Sequence, residues 1–170
     1  MAYTGFISDP DYTKKNENET ITGVWTFNEV INGTALNAKW ADLAEVYEID
    51  SKELLPPGTL VKFGGDGEIT KTKANDRHFF SVISTKPGII LNKKAEEKGL
   101  KVALMGQVPC RTIGEIHKFD KLTTSRIPGV AKKKTLLDKL LLKPTIGIAL
   151  KTNLNKKEKL VDIFIKADIL

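Results

Sequence analysis

Cys110, His78 and His117 are the residues best equipped for covalent chemistry, because an imidazole beside a thiol can generate a thiolate nucleophile. Cys110, however, follows Pro109 inside an apolar, strand-like run, where a lone cysteine acts as a small buried hydrophobe. The two histidines are far apart and stand near no clustered cysteines, so they do not form a zinc set. Gly64-Gly65-Asp66-Gly67 invites comparison with a phosphate-cradling loop, but no Lys-Ser/Thr pair follows it and no helix is set to begin there. It reads as a hairpin turn. Asp66 and Glu68 lack the ligand spacing of a calcium loop. Asp42, Glu45, Glu48, Asp50 and Glu53 fit a solvated helix face better than a paired acid and base. The expectation is a non-enzymatic protein with no catalytic residue, no metal ligand and no cofactor.

The composition sets the wider bounds. The chain has 170 residues, 41% apolar and 28% charged, enough for one packed domain plus an arm. No apolar run reaches the roughly 20 residues needed to span a bilayer, and the start MAYTGFISDPDY lacks a signal-peptide layout. A single cysteine excludes an internal disulfide framework and suits folding in a reducing compartment. The net charge of +6 hides a division. Residues 1–50 carry three lysines against nine carboxylates, while residues 51–170 carry twice as many basic as acidic side chains. Such asymmetry indicates two surfaces with different neighbours. Single-strand nucleic-acid binding needs aromatics interleaved with the basic residues. Lys132–Lys134, Lys156, Lys157 and Lys159 have no aromatic neighbour, so no specific nucleic-acid partner is expected, and without a bilayer-spanning run no membrane partner is expected either.

The elements follow from hydrophobic period. Residues 1–20 are polar and aperiodic. From Ile21 the pattern ITGVWTFNEVING alternates like a strand and ends in an Asn32-Gly33 turn signal. Over Ala35–Tyr47 the period changes. Leu36, Trp40, Leu43 and Tyr47 fall at spacings of four, three and four, which predicts a short helix. So short a helix must bury two large aromatics either on the following module or on copies of itself. Pro56-Pro57-Gly58 then breaks any helix. Strands are predicted at Thr59–Phe63, Glu68–Lys71, Phe79–Thr85, Ile89–Leu91, Leu100–Met105, Val108–Ile113, Leu122–Thr124, Thr145–Leu150 and Val161–Ile165, with a helical insert at Thr135–Leu142. The fold class is mainly β: a small barrel or sandwich over residues 54–170, preceded by an extended N-terminal arm with a short helix over residues 1–53.

The pieces ITGVWTF, INGTA, ADLAEVY, PPGTLVKFGGDGEIT, SVISTKPGIILN, VALMGQVPC and TIGIAL, in that order, resemble bacteriophage fibre and appendage proteins. The likeness is to the β-rich knob placed before, or in place of, an intramolecular-chaperone autoprotease region. More loosely, the chain is similar to capsid-decorating cement proteins. The resemblance implies a homotrimer whose arms wind together. Three-fold closure would then bury Trp25, Phe27, Ile31, Leu36, Trp40, Leu43 and Tyr47 between subunits. Self-cleaving relatives carry a long helical chaperone after the knob, and this chain stops at Leu170, so no autoproteolysis is expected.

The expected role is a structural protein on the virion surface, a trimeric capsid decoration protein or short head fibre. Its partners would be itself and the major capsid protein or another virion protein. The alternatives are a tail-fibre or baseplate-attached receptor-binding knob and, from another class, a self-cleaving peptidase-like domain.

Overall fold

Short runs of Val, Ile, Leu and Thr, punctuated by Gly, Pro and Asn, fold into ten strands and one helix among the described residues. The computed structural model describes residues 42–49, 55–92 and 99–166, all within one compact unit, Asn37–Leu170. In chain order the strands are β1 (Asp42–Glu48), β2 (Leu60–Phe63), β3 (Ile69–Lys71), β4 (Ser81–Ile83), β5 (Ile89–Leu91), β6 (Gly99–Thr112), β7 (Lys121–Thr124), β8 (Ala131–Lys133), β9 (Gly147–Ala149) and β10 (Lys159–Lys166). The helix α1 (Leu136–Leu140) lies between β8 and β9.

The long strand β6 organises both halves. Its second half pairs with β10 from Lys159↔Thr112 to Lys166↔Met105 and touches β8 at Thr112↔Ala131. Pairings of β8 with β7, β7 with β9 and β9 with β10 complete the ring, giving a closed five-stranded barrel. Closure leaves these strands no free edge along the ring. Val108, Cys110, Ile116, Leu122, Ala131, Ile146, Ala149, Val161, Ile163 and Ile165 form its core, joined by Leu60, Val82 and Ala103.

The first half of β6 lies in a second group of strands. β1 pairs with it antiparallel from Asp42↔Gly106 to Glu48↔Gly99, and β4 pairs with it at Val82↔Ala103 and Ile83↔Val102. β2 and β3 continue outward from β4, while β5 lies parallel along β1. An isolated bridge, Ile49↔Ile69, links the end of β1 to β3. Leu55, Val61, Ile69, Ile83 and Val102 form the core here, with Tyr47, Ile49, Phe80 and Leu100 packed against it. Gly106, at φ 112, stands where β6 passes from one set of partners to the other. That φ is open to glycine and strained for any L side chain.

The expected mainly-β barrel is therefore present, and two of the predicted strands, Leu100–Met105 and Val108–Ile113, merge into β6. The helix expected over Ala35–Tyr47 is corrected where the structure describes it, because residues 42–48 form strand β1. The physical reason is burial on alternate residues: Asp42, Ala44 and Val46 face inward, while Leu43, Glu45 and Tyr47 are half-buried on the other side. Close approach to β6 requires Gly99, since a Cβ there would sit 2.5 Å from the Tyr47 carbonyl oxygen. Pairing with β6 and β5 outweighs a helical stripe of three turns.

Candidate functional surfaces

Cys110 sits on β6 inside the barrel core, fully buried. Burial pushes its thiol up to about 12, with the nearby Arg111 charge opposing the shift. The side chain is thus held as a protonated, inaccessible thiol, the reverse of an activated nucleophile. His117 is exposed and faces Asp120 at 3.7 Å, and its backbone N–H donates to the same carboxylate at 2.8 Å. Gly64–Gly67 is the hairpin turn between β2 and β3, closed by the Gly64 N–H donating to the Glu68 carbonyl at 3.2 Å.

Of the residues expected at a subunit interface, Trp25, Phe27, Ile31, Leu36 and Trp40 lie outside the described residues. Leu43 and Tyr47 lie four residues apart on the same side of β1. The Tyr47 ring meets Phe63 and Phe80 edge-on at centroid distances of 6.0 and 5.2 Å, and Phe63 stacks on Phe80 at 4.0 Å. The Tyr47 hydroxyl donates to Glu45 Oε2 at 2.7 Å. Burial, then the Glu45 carboxylate, hold its proton well above the usual phenol range. Tyr47 therefore finds ring partners within one subunit, while Phe63 remains 59% exposed. Beside Leu43, the register places Ile89 of β5 and Met105 of β6 in one cross-strand row, and Leu91 stands opposite Glu45. The result is a face of exposed or half-buried apolar side chains bordered by Glu45 and Glu68.

A second surface lies around α1. Thr135 caps the helix: its hydroxyl accepts from the Asp138 N–H at 3.3 Å, and Asp138 Oδ2 accepts from the Thr135 N–H at 2.9 Å. Asp138 also binds Lys132 at 2.6 Å and Lys143 at 3.1 Å. Burial alone would raise its carboxyl, but these lysines and the Thr135 donors hold it well below the usual carboxylate range. The one inward-facing residue of α1 is thus an acid, and the leucines point outward. Leu136, Leu137, Leu140, Leu141 and Leu142 are all exposed, Leu140 to 73% and Leu142 to 86%. Leu137 and Leu141 also line a cleft of about 770 Å3 with Ile113, Ile127, Arg77 and Arg126. Lys134 nearby donates to the Lys143 carbonyl, and its ammonium is held below the usual lysine range by burial and by the Lys121 and Lys139 charges.

A third feature is small and internal. Ser84 Oγ donates to Asp42 Oδ2 at 2.6 Å, both residues being buried, and the Gly88 N–H donates to the Asp42 carbonyl at 2.8 Å. Burial raises the Asp42 carboxyl above the usual range, with the Ser84 bond opposing. These bonds fix the start of β1. Sequence reasoning placed Asp42 on a solvated helix face and did not connect it with Ser84. In the helical insert TLLDKLLL, a helix that buries only its aspartate must expose its leucines, and the Thr-x-x-Asp box itself carries that signal.

Neither a scan against protein-family models nor a search of curated protein sequences gave a match. Solved structures that share the fold include two of one gene product. The pre-mature form of bacteriophage phi29 gene product 12 is 15% identical, with a TM-score of 0.63 over 83% of this chain. The chain spans about a quarter (24%) of that protein's length. A C-terminal fragment of the same gene product is also 15% identical, with a TM-score of 0.56, and is covered over its full length by 74% of this chain. At that identity the likeness is one of fold: the chain shares the β architecture of these two structures.

Proposed function

We propose that the protein is a structural component of a phage particle, a homotrimer on the virion surface acting as a capsid decoration protein or short head fibre. The observation that carries this reading is the shared fold, which takes in the whole of the phi29 gene product 12 fragment. Two further observations support it. The subunit exposes two clusters of large apolar side chains, around α1 and on the outer face of β1, of the kind that marks an interaction surface. The charge division between residues 1–50 and the remainder suits a molecule that meets one neighbour with each. In this scheme residues 1–53 anchor and trimerise, with Trp25, Phe27, Ile31, Leu36 and Trp40 between copies, and residues 54–170 present the β domain.

The experiment is direct. Gold-labelled antibody against the purified protein should decorate the shell of intact virions, and the native mass in solution should be three times that of the chain. Label confined to the tail would move the assignment to a tail-fibre or baseplate knob. Absence of label from virions would end the structural reading. In this role the protein is not an enzyme. The self-cleaving alternative predicts a shortened chain, so an intact mass equal to the full sequence, unchanged in Cys110→Ala, is the expected result.

A further inference from the structure

We infer that the leucine face of α1 docks on the outer face of β1 in a second copy of this chain, head to tail, so that every subunit offers one face and accepts the other. The inference rests on the trimer proposed above and says which surfaces of the described residues meet.

Three observations carry it. First, each face needs cover. The leucines in and just after α1 are 42–86% exposed, and Ile89, Leu91, Met105 and Phe63 on the β1 side are 42–59% exposed, so each face presents a cluster of large apolar side chains to solvent. Second, the rims are opposite in sign. Around α1 stand Lys139, Lys121, Arg77 and Arg126, none of them in an ion pair among the described residues, and the acid at the helix, Asp138, is buried on Lys132 and Lys143. Around the β1 face stand Glu45 and Glu68, the two carboxylates whose charge acts on Tyr47. Third, self-pairing of either face is disfavoured by its own charge. A two-fold contact through α1 would set lysine against lysine, and one through β1 would set glutamate against glutamate, whereas the heterologous contact matches apolar to apolar and basic to acidic. A heterologous contact that closes makes a ring, and a ring of three satisfies every copy.

The test uses the full chain, in which Cys110 is buried and silent toward mild oxidants. Leu140→Cys and Leu91→Cys are made separately and mixed after subunit exchange. The expected result is a cross-linked pair in the mixture, at least ten-fold above either protein alone. In parallel, Lys139→Glu and Glu45→Lys should each weaken assembly about ten-fold, and their combination should restore it, a readout that misfolding would not produce. Cross-links joining Leu140→Cys only to itself would overturn the inference in favour of a two-fold face. A trimer of normal mass with no cross-link would overturn it while leaving the trimer standing, and a monomeric wild type would overturn both. Unchanged mass in Leu137→Glu together with lost sedimentation on vesicles of anionic phospholipid would assign the leucines to a membrane instead.

Discussion

Thr123 buries a hydroxyl that finds no hydrogen-bond partner among the described residues. An unpaired buried hydroxyl costs on the order of 1–3 kcal/mol, and valine has the same shape without that group. Thr123→Val should therefore raise stability by about 1 kcal/mol, read as a shift of the urea midpoint at unchanged slope. Asp42 supplies a second reversal of the usual rule that mutation destabilises. Its folded carboxyl is raised by burial, so folding favours the protonated form. The stability that this group contributes is complete below the ordinary carboxylate range and is lost as pH rises through the folded value. At pH 7 the buried charge opposes folding. Asp42→Asn, which keeps an oxygen to accept from Ser84, should be more stable than wild type at pH 7, and the two should converge near pH 4; a loss at both pH values would mean that the carboxylate has a partner that asparagine cannot replace.

At the scale of elements, contact between β1 and β6 depends on Gly99, where any added carbon would strike the Tyr47 carbonyl and the Val46 side chain. Gly99→Ala should cost about 2 kcal/mol and raise exchange of the β1 amides before those of β10. Much of this organisation was legible in the sequence. Ile89–Leu91 matches β5 residue for residue, the Gly-Gly-Asp-Gly turn falls between β2 and β3, and Thr135 begins α1. These succeed because turn chemistry and capping are local. Two strands were not legible. In β1 the inward residues are Asp, Ala and Val, so polarity does not mark the buried side, and large residues face a half-covered surface at spacings that mimic a helix. In β8 the sequence is Ala-Lys-Lys, held by pairing with β7 and by one contact with β6 instead of by apolar content. The surfaces were less legible still. Leu43 and Tyr47 were singled out from the wrong secondary structure, and the face they share with Ile89 and Met105 exists only because β5 and β6 flank β1.

For the molecule as a whole, sharing β6 between both groups of strands predicts one cooperative unfolding transition for the described unit, with the slowest amide exchange along residues 100–112. Two transitions, or early exchange there, would show that the halves are independent. The same strand also dictates the order in which the protein is completed. The barrel seam joins β6 to β10, the last described strand, so every earlier strand of the ring must wait with its apolar side uncovered until residues 159–166 have left the ribosome. A nascent chain halted anywhere short of them is a sticky intermediate, and such non-local closure is slow. Yield of the folded protein should accordingly depend on holdase chaperones and on temperature during synthesis far more than the finished protein's resistance to heat would suggest.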